Sequence, residues 1–288
     1  MSSLSARDRE LLAAPVPVLA SADLSDGSQV FFREKGPANG DPVLMLHGLG
    51  SHSGAWRGVM AGLPGHLRAV AWDAPGFGGS SPIAAASPSV ADYVQRLLQF
   101  ADRLGIDRFD LVGSSWGAMI AAGVAAEAPG RVISLGLLVP NAGLGGVPEP
   151  TRSEILAALA APELVLEAAP AAVAAMLTAP GSDPLVTTLV GGIKDYVTRE
   201  GYAHAVTMLG ATDTLALARR ITAPTLVLAG REDGLAPPEQ HSIPISQAVT
   251  GSRFEMLSGY GHLLKIEAPD RVASLIEAHL TAARERRS

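Results

Sequence analysis

The chain has 288 residues, 31 of them glycine and none cysteine, with a formal net charge of −6. That length suffices for one large α/β domain, or for one with a substantial insertion, and for a core that needs no covalent staples. The missing cysteines exclude a disulfide framework, a thiolate nucleophile and cysteine-ligated metals; the basic residues, clustered only at Arg284, Arg286 and Arg287 in what reads as a solvated helix end, exclude a nucleic-acid footprint.

Near the amino end, Arg7, Asp8, Arg9 and Glu10 stand where a secretory signal would be apolar, so no signal peptide is expected and the expected compartment is the cytoplasm. Apolar and β-branched runs then alternate with helix-length segments. Strands are expected at 16–20, 29–33 and 42–46, a helix at 54–63, a strand at 68–72, and a helix at 89–104 with Ser89 and Asp92 at N-cap spacing. A strand at 109–112, a helix at 116–128 and a strand at 133–139 follow. The run at 132–139 stops far short of the roughly 18–20 apolar residues of a membrane span, so no membrane partner is expected. Between Asn141 and Asp213 strand-like alternation ceases, alanine dominates, and Pro148, Pro150, Pro162, Pro170, Pro180 and Pro184 cut the segment into short helical pieces. A helical cap over 141–213 is expected, inserted into a core of 1–140 and 214–288, with Gly143, Gly145 and Gly146 as its hinge. Strands at 225–229 and 253–257 and helices at 238–249 and 269–286 complete the core. The pattern predicts an α/β fold with a mostly parallel, eight-stranded sheet flanked by helices.

The chemistry concentrates at Gly113-Ser114-Ser115-Trp116-Gly117, between the strand at 109–112 and the following helix. A GxSxG turn in that context lifts its serine out of the sheet edge, and the glycines remove the Cβ atoms that would crowd the turn. Ser115 is the expected nucleophile. A serine hydroxyl needs a base and a carboxylate to orient that base. Of seven histidines, His262 stands in Gly259-Tyr260-Gly261-His262-Leu263, just past the last strand, where a loop can carry an imidazole over the sheet edge. Asp233, in the Gly-rich turn after the strand at 225–229, is the expected acid, with Glu232 as its near competitor. Backbone N–H groups of Trp116 and of Leu49, in the loop His47-Gly48-Leu49-Gly50, are the expected oxyanion donors. His47 itself reads as a loop brace. His52, His204 and Met208 are the expected substrate contacts.

Gly48, Gly50 and Gly54, with Asp73 closing the next strand, imitate a dinucleotide-binding fingerprint, but the spacing is GxGxxxG and Ser115, Asp233 and His262 go unexplained by it.

Taken in order, His47-Gly48, the segment Asp73 to Ser80, the turn at Ser115, Ala223-Pro224-Thr225 leading to Gly230 and Asp233, and Gly261-His262 followed by Glu267 and Pro269 resemble the α/β-hydrolase family over almost the whole chain. The resemblance implies an α/β-hydrolase fold, a serine-nucleophile member with a helical cap, and a Ser115, Asp233, His262 triad that needs no cofactor and no metal. It implies a conformational role for Asp73 to Ser80. Some relatives carry the acid after the sixth strand, where this chain has Asn141, which favours Asp233; relatives with an aspartate nucleophile are disfavoured by Ser115. Carboxylic ester or lactone hydrolysis of an apolar small molecule is the expected reaction. A C–C bond hydrolase of a vinylogous diketone, an intracellular polyester depolymerase and a triad-retaining receptor are the alternatives, and homodimerisation is left open. Leu156, Leu159, Leu164, Leu166, Met176, Leu177, Leu185, Leu189 and Met208 are the apolar residues the cap offers to a pocket.

Overall fold

The computed structural model describes residues 4–160, 168–192 and 196–286. Eight strands, β1 (Leu19–Asp23), β2 (Gln29–Lys35), β3 (Asp41–Leu46), β4 (Leu67–Trp72), β5 (Phe109–Ser114), β6 (Val132–Leu138), β7 (Thr225–Gly230) and β8 (Arg253–Leu257), form one sheet in the order β1-β2-β4-β3-β5-β6-β7-β8. β2 is antiparallel to β1 and to β4, and every other pairing is parallel. The side-chain period of two sends alternate residues into two cores. Leu44, Leu46, Val70, Trp72 and Val227 pack on one face, and Val43, Met45, Ala69, Ala71 and Leu228 on the other.

The second face is covered by α2 (Arg57–Gly62) and α12 (Pro269–Glu285), on which α1 (Ala6–Ala13) packs, and the first by α3 (Val90–Arg103), α4 (Trp116–Glu127), α9 (Thr214–Ala218) and α10 (Ser242–Ala248). α4 is buried from Trp116 to Ala126 because it lies between the sheet and other helices, which is why its sequence is apolar all round. Asp92 caps α3 as its spacing predicts, accepting the Ser89 N–H at 2.8 Å and the Ser89 hydroxyl at 2.7 Å.

Several boundaries differ from the sequence reading, and one helix is added. The first strand begins at Leu19 instead of residue 16, because Pro15 and Pro17 cannot donate to a ladder. The helix expected at 54–63 is a 3₁₀ turn (Ser53–Trp56) followed by α2. The helix expected from 238 starts at Ser242. α1 was not foreseen: Ser5 and Asp8 form a capping box, and Leu11 and Leu12 are buried.

Between β6 and β7 lie α5 (Thr151–Leu159), α6 (Pro170–Leu177), α7 (Pro184–Gly191) and α8 (Arg199–Ala211), ahead of α9. Pro162, Leu164 and Leu166 fall outside the described residues, as does Arg287. The glycines at the start of this insertion form a zipped stem: the N–H of Leu144 donates to Leu209 and that of Gly145 to Thr212, while Thr214 donates back to Ala142. A Cβ on Gly143 would lie 2.1 Å from the Thr212 carbonyl oxygen, so the two strands of the stem touch there. Among the described residues no helix is long and apolar enough to cross a membrane.

Candidate active site

Ser115 alone makes the turn from β5 into α4, at φ 56° and ψ −119°. Backbone strain of this kind costs about 1–3 kcal/mol and persists only where the surroundings enforce it. They do: a Cβ on Gly113 would lie 2.4 Å from the Gly117 carbonyl oxygen, and one on Gly117 would lie 2.3 Å from that of His47. The Ser115 N–H donates to Leu138 at 2.9 Å and ties the turn to β6.

His262 leaves the loop after β8 with Nε2 2.8 Å from Ser115 Oγ and Nδ1 2.7 Å from Asp233 Oδ2. The other oxygen of Asp233 accepts the N–H groups of Leu235 and Ala236 at 3.0 and 2.8 Å. One carboxylate thus closes its own turn and meets the imidazole. With a carboxylate accepting at Nδ1, the lone pair on Nε2 faces the serine hydroxyl. Glu232 does not reach His262; it accepts the N–H groups of Gly259 and Tyr260 at 2.8 and 3.0 Å and braces the loop that carries the histidine.

The loop after β3 packs against the same turn, and a Cβ on Gly48 would lie 3.2 Å from Ser115 Cβ. His47 is fully buried: its Nε2 accepts the Ala74 N–H at 3.0 Å, and its Nδ1 lies 2.9 Å from the Gly48 carbonyl oxygen. That pairing requires the neutral Nδ1–H tautomer, and burial holds its pKa down at about 3. Asp73, whose carboxyl is pushed up by burial, accepts the Ser53 N–H at 2.5 Å, and the Ser80 hydroxyl donates to the Asp73 carbonyl at 2.7 Å. The Asp73 to Ser80 segment also bonds the insertion, through Gly78 N–H to Tyr196 and the Thr198 hydroxyl to Gly76.

Ser115 and His262 open into a cavity of about 450 Å³ whose wall includes Leu49 and Trp116. Trp116 is the first residue of α4, so its N–H has no intrahelical acceptor. Leu159, Met176 and Leu177 line the cavity, as do Leu144, Val147 and Leu209. Other apolar residues of the insertion pack elsewhere: Leu156 against Gly210 and the first core, and Leu185 against the cluster of Leu4, Val186 and Ile266. The three expected substrate contacts are not part of the cavity wall. Met208 is a fully buried core residue, His204 points partly to solvent on α8, and His52 lines a separate surface depression, its ring stacked on Tyr196 at 4.0 Å.

Several wall or support residues escaped the sequence reading as site members. His241, from the turn before α10, lines the cavity and accepts the Ala142 N–H at 3.1 Å. Asn141 lines it too, with its side-chain oxygen held by the Gly143 N–H. In the short helix α11 (Leu264–Glu267) every residue is buried. Lys265 lines the cavity with its Nζ 3.2 Å from Ser114 Oγ, and burial lowers its pKa to about 8. Glu267 gathers four donors, the N–H groups of Ala179, Gly261 and Leu263 and the hydroxyl of Ser182. The Gly261-His262 spacing before Glu267 was the only sequence signal for either residue.

The profile described as the alpha/beta hydrolase fold matches residues 41–269. The chain is 27% identical over 279 residues to monoacylglycerol lipase abhd6-B of Xenopus laevis, with 85% of this chain and 77% of that one covered. It superposes on a hydrolase from Pseudomonas aeruginosa PA01 with a TM-score of 0.79 and 26% identity, covering 91% of this chain and 98% of the other. The enol-lactonase of Burkholderia xenovorans LB400 shares the fold, with a TM-score of 0.80 at 24% identity over 91% of this chain and all of the other.

Proposed function

Because the chain belongs to the alpha/beta hydrolase family, we propose that it is a serine hydrolase that cleaves the carboxylic ester or lactone bond of a small molecule. The observation that carries the reading is the unbroken line from Ser115 Oγ through both ring nitrogens of His262 to Asp233, at 2.8 and 2.7 Å. Similarity to a monoacylglycerol lipase supports an ester substrate, and the apolar wall of the cavity suits acyl chains.

In the proposed mechanism His262 takes the Ser115 proton as Oγ attacks the substrate carbonyl. The N–H groups of Leu49 and Trp116 receive the developing oxyanion, each worth about 2.7–4 kcal/mol. Asp233 stabilises the imidazolium. His262 then protonates the leaving alcohol, and water activated by the same histidine attacks the acyl-enzyme and releases the acid. Residues 141–213 act as a lid over a core of 1–140 and 214–288. His52, His204 and Met208 are left out of the binding site because none of them lines the cavity.

The test is hydrolysis of a chain-length series of p-nitrophenyl esters by wild type and Ser115→Ala. Loss of the nucleophile is expected to lower kcat by on the order of 10⁶. Turnover in the variant within about tenfold of wild type would refute the assignment. A folded wild type inert to every ester would move the reading to C–C bond hydrolysis or ligand reception.

A further inference from the structure

Lys265 has no role in the chemistry above, yet its ammonium is buried in the wall of the cavity that holds Ser115 and His262. Its single hydrogen bond among the described residues goes to Ser114 Oγ, and the Trp56 ring lies beside it at 5.7 Å. An ammonium has three donors. No carboxylate of the described residues lies within ion-pair distance, since both oxygens of the nearby Glu267 are turned to Ala179, Ser182, Gly261 and Leu263. A buried charge left with one weak partner is costly, and natural chains keep such groups where they meet something that binds.

A second buried polar atom belongs to the same wall. Ser51 Oγ has no hydrogen-bond partner, and Ser51 lines the cavity with Lys265. On the far side of this corner lies the surface depression of about 400 Å³ that contains His52, neighbour of Ser51, and Ile266, neighbour of Lys265. Arg33 and Arg57 line it, neither paired with a carboxylate among the described residues. Two cations thus line the depression that neighbours the buried ammonium, while the rest of the cavity wall is largely apolar. The chain carries three lysines among its 22 basic residues. A compact ammonium in place of the usual guanidinium fork fits a site for a single anionic group in a tight space.

Resting on the ester-hydrolase reading, we propose that the substrate carries a free carboxylate, which Lys265 Nζ and Ser51 Oγ hold in the cavity, with Arg33 and Arg57 drawing the anion toward it. The substrate class is then a half-ester of a dicarboxylic acid, or a lactone bearing an acid group, in which an apolar chain separates the carboxylate from the scissile bond.

The experiment compares monoethyl succinate, glutarate and adipate with the neutral ethyl esters of butanoic, pentanoic and hexanoic acids, in wild type, Lys265→Met and Ser51→Ala. Wild type is expected to favour at least one half-ester over its neutral partner in kcat/KM. Lys265→Met should reduce that ratio by about 10- to 100-fold, and Ser51→Ala should reduce it in the same direction by less. No preference in wild type, or equal losses on both classes in Lys265→Met, would overturn the proposal and leave Lys265 as a prop for Ser114. Calorimetric titration of the same half-esters into Ser115→Ala, alone and combined with Lys265→Met, separates this from the catalytic reading. If wild type hydrolysed neither class and no p-nitrophenyl ester, the ester reading would fall, but half-ester binding that needs Lys265 would sustain the carboxylate site; absence of binding would remove it.

Discussion

Asp233 divides its two oxygens between tasks, and that division makes it unusually sensitive to a one-atom change. Oδ1 accepts two N–H groups of its own turn, so it must stay an acceptor. In Asp233→Asn the amide nitrogen is therefore driven to the other side, where it donates to His262 Nδ1. Nδ1 then has to accept, the ring proton moves to Nε2, and no lone pair remains to take the Ser115 proton. The turn keeps its bonds, so the variant is expected to fold with wild-type circular dichroism while kcat on the best p-nitrophenyl ester falls by about 10⁴. A loss of less than about tenfold would mean that His262 does not need this carboxylate.

At the scale of elements, the loop that carries His262 is fastened to the insertion as firmly as to its own strand. His262 N–H donates to Leu177 at the end of α6, at 2.8 Å. Glu267, from α11, takes Ala179 and Ser182 on one oxygen and Gly261 and Leu263 on the other, at 2.9 to 3.2 Å. Burial pushes the Glu267 carboxyl up, so these four donors offset a real desolvation cost. In Glu267→Gln either amide orientation sets an NH₂ group against a backbone N–H, that of Ala179 on one side or those of Gly261 and Leu263 on the other, and breaks one half of the clamp. The expected loss is about 1–3 kcal/mol of stability, together with a lower kcat, as the imidazole loses its fixed position over Ser115. Hydrogen exchange checks the mechanism: protection should fall in residues 171–192 and 259–263 while the β3-β5-β6 centre keeps its own. A uniform fall across the sheet would place the effect in global stability instead.

For the molecule as a whole, the sheet was legible because its five central parallel strands, β3 to β7, are largely buried on both faces and read as short apolar runs between helices. Ser115, Asp233 and His262 were legible because each stands at a strand's carboxyl end in a glycine-marked turn. What failed depends on packing between distant segments. Nothing in the sequence reading singles out Lys265, because its setting depends on how the segment after β8 packs: residues 261–269 are all buried. His52 is expected among the substrate contacts, yet the residue caps a 3₁₀ turn and lines the surface depression. The buried ammonium also leaves a mark on global stability. Its pKa falls from 10.5 to about 8, because burial disfavours the charged form, against which the charge of Glu267 pulls. The other titrating groups whose charges reach it, His47 and His52 of the facing loop, are held neutral at about 3 and about 4. Between pH 8 and 10.5 the unfolded chain therefore binds the proton that the folded chain has released, and the slope of stability with pH is positive there. Below about pH 8 the full cost is present, on the order of 3 kcal/mol; above 10.5 it is gone. Lys265→Met removes the titration and nearly conserves volume, so the variant should be the more stable protein at pH 7, and its advantage should shrink as the pH rises through that window. Urea unfolding of both proteins at half-unit steps from pH 7 to 10.5 measures the difference, in which all other titrating groups cancel. A variant less stable than wild type at pH 7, by a margin that does not change with pH, would show that Lys265 supports the fold through packing and its bond to Ser114, with no buried charge to relieve.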